Sequence, residues 1–277
     1  MKKAASIAYL FALALSLGIY CRTGVAALPS PLDMGYHEMY DLHFDQARRN
    51  FEQWQRMHPA DPMGSTSEAA SYLFSEFNRL GILQSRFFVN DKQFKQLPKV
   101  APDPATKEAF DDAISKSLQL ADTRLTQAPA DTNALLAKVL DEGLRADYLA
   151  LIEGRDLASL SMMKRAATLA DQLLRVDPSC YDAYLASGAE NYLLSLNRAP
   201  VRWVLRLYGA ETDRARGIQE LQLTAEKGHF LRPYARLLLA VAALRDKDPS
   251  KAKELLRGLA RDFPGNPLYA QELARLQ

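Results

Sequence analysis

Proline-containing turn signals divide this chain into long helical segments, and this division constrains the fold more than any other sequence feature. The signals are centred on Pro59, Pro129, Pro178 and Pro264. Each places a proline just past a helix end, before a polar or small residue that can cap the next helix. Between the signals, apolar residues recur at helical spacing, as in Ala166–Leu174, and no stretch alternates long enough to indicate a sheet. We therefore predict an all-α chain with room for a helix pair between turns.

A second pattern repeats in register with these turns. A small residue is followed twelve positions later by another small residue, then by a large apolar residue four later, a further residue three later and a proline five later. Three sets fit this spacing: Gly35, Ala47, Phe51, Trp54 and Pro59; Gly154, Ala166, Ala170, Leu173 and Pro178; and Ala240, Ala252, Leu256, Leu259 and Pro264. A partial set is Ala105, Ser117, Ala121 and Pro129. Small residues let paired helices approach closely, and the large residue fills the gap.

In this spacing the chain resembles the tetratricopeptide repeat superfamily. The segment from Pro178 to Pro249 is also similar to exported bacterial tetratricopeptide proteins of unassigned function. The resemblance is divergent, because Trp54, Leu173 and Leu259 occupy positions where small residues are usual. It implies one domain over residues 28–277, a right-handed α-solenoid of antiparallel helix pairs. Two insertions are expected, at about 78–104 and about 197–212, and a C-terminal capping helix at about 268–276.

The first 27 residues have the pattern of a secretory signal peptide. Lys2 and Lys3 precede an uncharged stretch from Ala4 to Tyr20, and Val25-Ala26-Ala27 offers a cleavage site after Ala27. An uncleaved anchor is the alternative, although the apolar run is shorter than the roughly 20 residues that a spanning helix needs. Lipidation of Cys21 is disfavoured because the bulky Tyr20 precedes it. We therefore expect a periplasmic or secreted bacterial protein without stable membrane insertion after signal removal.

Charge and cysteine content exclude further classes. Removal of residues 1–27 takes away Lys2, Lys3 and Arg22 and no acid, so the formal net charge falls from +2 to −1. A nearly neutral chain is not typical of a nucleic-acid-binding protein, which needs a basic face. Cys180 is then the only cysteine, so the fold cannot depend on an intramolecular disulfide.

The sequence offers no convincing catalytic, cofactor or metal site. It contains no serine elbow and no glycine-rich phosphate loop. His37 and Asp41 lie one helical turn apart, but the closed ligand set of a structural zinc site is missing. Four acids could include a buried acid–base pair: Glu142, Asp147, Glu153 and Glu190. The preferred interpretation is that they lie on solvated helix faces or form interhelix salt bridges. We therefore predict a protein that is not an enzyme.

Aromatic residues provide the candidate binding surface. The resemblance implies that the first helix of each pair lines the concave side of the superhelix. The positions assigned to that side are largely aromatic, and the predicted partner-binding residues are Tyr36, Tyr40, Phe74, Tyr148, Tyr192 and Tyr234. Tyrosine suits recognition because it combines a rigid apolar face with a polar tip. The alternative is that these rings fill the groove and contribute to stability.

A second candidate surface is the short amphipathic segment from Arg198 to Tyr208. It carries Arg202, Trp203 and Arg206, and it could lie on an anionic membrane or dock on the solenoid. Two functions follow from the sequence. The first is a scaffold that binds an unidentified protein or peptide in a tyrosine-rich groove, and the alternative is a carrier of a lipid or small apolar ligand enclosed by the two insertions. An open groove would favour the scaffold, and an enclosed pocket would favour the carrier.

Overall fold

The computed structural model describes residues 28–83, 101–196 and 213–276, and within these ranges all regular structure is helical. Eleven α-helices and one π-helical turn, Tyr148–Ile152, follow one another along the described chain. The helices are α1 (Pro31–Tyr40), α2 (Phe44–Met57), α3 (Pro62–Arg79), α4 (Pro104–Gln127), α5 (Thr132–Asp147), α6 (Asp156–Val176), α7 (Tyr184–Ser195), α8 (Arg214–Lys227), α9 (Arg232–Arg245), α10 (Pro249–Asp262) and α11 (Pro267–Arg275). The all-α prediction is confirmed.

Local sequence explains where most helices begin. The side chains of Asp61, Asp131 and Asn266 accept a hydrogen bond from a backbone N–H of the helix that follows each of them. Such caps satisfy N–H groups that have no partner inside the helix. Pro62 and Pro267 occupy the first position of α3 and α11, where a missing N–H and a fixed φ cost nothing. The turn signals at Pro59, Pro129 and Pro264 therefore mark capped helix starts as predicted, whereas after Pro178 the next helix begins at Tyr184 without a side-chain cap.

Consecutive helices pack as five pairs. The pairs are α1 with α2, α3 with α4, α5 with α6, α7 with α8, and α9 with α10, and each pair also packs against a neighbour in the chain. The last helix, α11, packs on α10 and occupies nearly the bounds predicted for the capping helix. This succession of helix pairs confirms the α-solenoid architecture that the tetratricopeptide resemblance implies.

Close helix contacts occur at the small residues of the first repeat unit. A Cβ atom added to Gly35 of α1 would lie 2.2 Å from the ring of Phe51 on α2, and both Phe51 and Ala47 are completely buried. The last unit packs in the same way, with Ala240, Ala252 and Leu256 buried. The spacing rule is therefore physically correct for the units α1/α2 and α9/α10.

For the two central units the same rule misplaces the first small residue. Gly154 was assigned to a first helix, but it lies between the π-helical turn and α6, with a φ of +66° that favours glycine. Ala105 was assigned to a first helix as well, but it belongs to α4, the same helix as Ser117. The twelve-residue spacing requires a short connection within the pair, and in these units the connection is longer. The first helices are instead α3 and α5.

The spacing rule also misses one unit, the pair α7/α8. A Cβ atom on Gly217 of α8 would lie 2.6 Å from the backbone nitrogen of Tyr192 on α7. Leu221 and Thr224 follow at the expected spacing and are completely buried. This unit escapes the pattern because residues 197–212 separate its two helices in sequence.

The two ends of the solenoid meet. The carboxylate of Asp41, at the end of α1, accepts a hydrogen bond of 2.9 Å from the backbone N–H of Gly265. The side-chain amide of Asn266 donates to the carbonyl of Tyr40, also at 2.9 Å, and this bond is buried. The ring of Tyr36 stacks on Phe230 with centroids 4.6 Å apart. These contacts join the first helix to the turns on either side of the last helix pair, so the described helices close on themselves.

Several predicted features lie outside the described residues. They are the signal peptide at 1–27, most of the first insertion, and the second insertion at 197–212. Within the described ranges, no helix has the length and apolar character required to cross a bilayer.

Candidate functional site

A central cavity of about 120 Å³ lies where the five first helices converge. Its walls also include two residues of α6, Met163 and Ala166, and the turn residue Asp182. The remaining wall residues are Tyr36, Met39, Tyr40, Thr66, Ala70, Phe74, Val139, Leu140, Gly143, Leu144, Ala146, Asp147, Leu185, Ala186, Ala189, Leu193, Leu231, Tyr234 and Leu238. Most of these side chains are apolar. The first helices therefore face the interior of the solenoid, as the resemblance implies.

Four of the six predicted aromatic residues lie together at this cavity. Tyr36 and Tyr40 are buried on α1, whereas Phe74 of α3 and Tyr234 of α9 are half-buried. The ring of Phe74 is 6.5 Å from that of Tyr40 and 5.6 Å from that of Tyr234, measured between centroids. The rings contact one another and form part of the cavity wall.

The hydroxyl groups of the two buried tyrosines are used within the protein. The Tyr40 hydroxyl donates to the backbone carbonyl of Phe230 at 3.0 Å. The Tyr36 hydroxyl accepts a hydrogen bond from Ser67 at 3.1 Å. Both groups therefore hold α1 in place, and their polar tips point into internal contacts.

The other two predicted residues belong to different parts of the core. Tyr148 stacks on Phe110 with centroids 5.1 Å apart, at the start of the π-helical turn. Tyr192 is only 1% exposed and packs with Leu221 in the α7/α8 pair. The six residues therefore do not form one continuous surface. The second candidate surface, Arg202, Trp203 and Arg206, lies outside the described residues.

Most polar groups around the cavity are satisfied by the protein itself. Asp182 accepts hydrogen bonds from three consecutive backbone N–H groups, those of residues 229–231, at 2.9–3.1 Å. Thr66 lies 2.6 Å from the Ser117 hydroxyl, which donates to Asp141 at 2.7 Å. This second set links α3, α4 and α5 in the core behind the cavity wall.

Asp147 is the exception. It ends α5 and is half-buried in the cavity wall, where its carboxylate accepts a hydrogen bond of 3.3 Å from the Tyr234 hydroxyl. Across the described ranges, no lysine, arginine or histidine forms an ion pair with it. Burial raises the pKa of Asp147 to about 7, and the bond from Tyr234 opposes this shift only in part. Asp147 is therefore the carboxylate of the cavity wall that has neither a cationic partner nor backbone N–H donors among the described residues.

The sequence interpretation of these acids as solvated faces or interhelix salt bridges does not describe Asp147, which is half-buried and bonded to Tyr234. Of the other acids considered with it, Glu142 lies 3.7 Å from Arg165 on α6, and Glu153 lies 3.0 Å from Arg155. The first of these is an interhelix salt bridge, as expected from the sequence, whereas the second lies within the turn before α6. The only sequence signal for a special role of Asp147 is its position one residue before Tyr148, at the end of a run of apolar positions on α5.

The histidine and acid cluster near the N-terminus has structural contacts. Asp41 binds the backbone of Gly265, as described above, and the ring of His37 lies 5.3 Å from that of Phe263. Within residues 28–83, 101–196 and 213–276, no group of three or more potential ligands is placed to hold a metal ion.

Comparisons with known proteins give no match by sequence and one resemblance in structure. No family model matches it, and no curated protein matches it either. One solved structure that it resembles is that of a thermophilic TPR protein from Thermus thermophilus, with 16% sequence identity. The superposition covers 89% of this chain and 96% of that one, with a TM-score of 0.44.

Proposed function

We propose that this protein is a non-catalytic binding scaffold that holds a small apolar ligand in its central cavity. One observation carries the proposal: five first helices build a cavity of about 120 Å³ with largely apolar walls. An apolar protein cavity of about 150 Å³ stays dry and binds benzene. The cavity described here opens to solvent beside Leu193, and its volume matches a ring or a short branched chain of similar size.

The closure of the helices favours this function over an open peptide groove. Tyr36 and Tyr40 are buried at 4% and 5% exposure, and Phe230 and the turn at 263–266 cover them from the last helix pair. A peptide would have to displace these contacts to lie along the tyrosines. In this proposal Phe74 and Tyr234 supply the aromatic wall for the ligand, while Tyr36 and Tyr40 hold the first helix against Phe230.

A cavity-filling substitution tests the proposal. A Cβ atom added to Gly143, in the middle of α5, meets no atom within 4 Å, and Gly143 lines the cavity. The Cβ of Gly143→Leu should therefore meet no clash and the rest of the side chain should extend into the cavity, and the substitution should favour α5, since glycine is a poor helix former. Gly258→Leu is the matched control, because Gly258 is equally unhindered in the middle of α10 and does not line the cavity.

The measurement is binding of toluene and benzyl alcohol, followed by chemical-shift changes of the cavity methyl groups. The unmodified protein and Gly258→Leu should bind both probes, whereas Gly143→Leu should bind neither while it unfolds at an equal or higher temperature. Absence of binding to the unmodified protein, or equal binding by both variants, would reject the cavity as a ligand site.

A peptide partner is a second candidate, favoured by an exposed apolar residue at the cavity. Leu193 of α7 lines the cavity yet is 42% exposed, and Leu196 just beyond α7 is 37% exposed. A partner that inserts an apolar side chain at this edge would bury both. Capture of a partner from the native host by the unmodified protein, and its loss in Leu193→Asp, would support this candidate. Equal capture by the variant would exclude this edge.

We also propose that the protein is exported and acts in the periplasm or outside the cell. The support is the Lys2-Lys3 start, the uncharged stretch and the small residues before Leu28. N-terminal sequencing of the protein from its native host should give Leu28 as the first residue. An intact Met1 on a soluble cytoplasmic protein would contradict export.

A further inference from the structure

We propose that the cavity is selective for a ligand that joins a small apolar body to a single cationic amine, and that Asp147 binds the amine. This inference rests on the proposed function and specifies the chemistry of the ligand. It starts from the contrast between the Asp147 carboxylate and the largely apolar wall around it. Among occupants of the same size, charge complementarity with this carboxylate favours a cation over a neutral molecule or an anion.

The other acidic group at the cavity is not available to a ligand. Three backbone N–H groups hold the Asp182 carboxylate at 2.9–3.1 Å, so its charge is compensated by the turn at residues 229–231. The hydroxyls of Tyr36 and Tyr40 are likewise engaged with Ser67 and with the carbonyl of Phe230. A ligand therefore meets Asp147 and Tyr234 as the polar pair of the wall.

The Asp147 carboxylate has unused capacity to accept hydrogen bonds. An ionised carboxylate has about four acceptor positions, and here only the Tyr234 hydroxyl donates to it, at 3.3 Å. Within the described part of the chain, no basic side chain pairs with it. A carboxylate that is half-buried in an apolar wall is poorly hydrated when it is charged, and an ammonium group supplies both the missing charge and additional donors.

The position of this pair fits a ligand bound with its amine at one end. Asp147 ends α5, and Tyr234 lies in the first turn of α9, so the two polar groups meet between two helices. Three leucines line the same cavity: Leu144 on α5, Leu185 on α7 and Leu238 on α9. The apolar body of the ligand contacts these leucines while its amine reaches Asp147.

Three probes of similar shape but different charge separate the contribution of charge to the affinity from the contribution of apolar contacts. The probes are benzylamine, benzyl alcohol and benzoate, measured at pH 8, where the amine is protonated and a carboxyl group with a pKa of about 7 is mostly ionised. The unmodified protein should bind benzylamine at least about tenfold more tightly than benzyl alcohol, as expected for a charge-assisted hydrogen bond. Benzoate should bind most weakly.

Asp147→Asn is the decisive variant, and Asp171→Asn is its control. The asparagine keeps the shape of the wall and removes its charge, so benzylamine should lose its advantage while the affinity for benzyl alcohol stays unchanged. Asp171 is an exposed residue on α6 that does not line the cavity, so its substitution should leave both affinities as they are.

The outcomes distinguish this inference from the proposed function. If no probe binds the unmodified protein, the proposed function fails. If benzyl alcohol binds and benzylamine binds no more tightly, the cavity stands as a ligand site and the amine inference is overturned. The comparison of the three probes on the unmodified protein decides the inference even if Asp147→Asn does not fold. Retention of the amine preference by folded Asp147→Asn would also overturn it.

Discussion

The buried carboxyl of Asp141 should make the stability of this protein depend on pH. Asp141 is completely buried on α5, and one of its carboxylate oxygens accepts a hydrogen bond from Ser117 while the other has no partner among the described residues. Burial raises the pKa of Asp141 from 3.8 to about 7, against the opposing effect of the hydroxyls of Ser117 and Thr66. The neutral carboxyl is therefore the form that suits the folded core.

The sign of the effect follows from proton binding. Between pH 3.8 and 7 the folded protein retains a proton on Asp141 that the unfolded chain has released, so stability increases as the pH falls. This contribution is complete near pH 3.8 and is lost as the pH rises through 7. One such proton changes the free energy of unfolding by about 1.4 kcal/mol per pH unit. Between pH 8 and pH 5.5, the Asp141 contribution is therefore about 2 kcal/mol.

Urea unfolding of the unmodified protein and of Asp141→Asn, at pH 5.5 and pH 8, measures this contribution. The variant should lack about 2 kcal/mol of the change between the two pH values. Asp112→Asn, an exposed position on α4, is the control and should retain the full change. Asp147, whose pKa is also raised to about 7, titrates in this range as well, but it is common to all three proteins. An unchanged pH dependence in Asp141→Asn would refute the reasoning.

Three further predictions concern packing, and urea unfolding checks each of them. Ala252→Phe should overpack the completely buried contact between α9 and α10 and destabilise the protein by about 1–3 kcal/mol or more; no change would mean that the repeat register is wrong. Gly217→Ala should destabilise the protein, because its Cβ would lie 2.6 Å from a backbone nitrogen. Gly258→Ala should stabilise the protein by roughly 0.5–1 kcal/mol, since nothing lies within 4 Å of its Cβ. Effects of equal sign for the two variants would contradict this prediction. Asn266→Ser should keep the helix cap but lose the bond to the Tyr40 carbonyl, at a cost of about 1–3 kcal/mol; unaltered stability would show that the closure contributes nothing.

The sequence predicted the helices and much of their pairing because these depend on local chemistry. The caps Asp61, Asp131 and Asn266 act on the N–H groups of the next few residues. Gly35 and Phe51 are far enough apart for one short turn, so their contact follows from spacing alone. Gly188 on α7 and Gly217 on α8 also approach each other closely, but a longer connection separates their helices. No fixed spacing therefore relates the two glycines, and the sequence pattern misses the pair α7/α8.

The candidate site depends on long-range contacts that no local pattern encodes. The resemblance correctly placed Tyr40, Phe74 and Tyr234 on helices that face the interior. It did not predict that the ends of the solenoid meet, because the bond between Asp41 and Gly265 joins residues far apart in sequence. That contact covers Tyr36 and Tyr40 and leaves a partly open cavity between the first helices.

The sequence by itself thus determined an α-solenoid of helix pairs, because caps, prolines and small residues act within a few turns of their own position. The tertiary structure alone decided which aromatic residues are buried and which line the cavity. It also decided that Asp147, an ordinary acid in the sequence, is held beside Tyr234 of a distant helix. Its environment is set by the helices packed around it, and their mutual arrangement half-buries the carboxylate and raises its pKa.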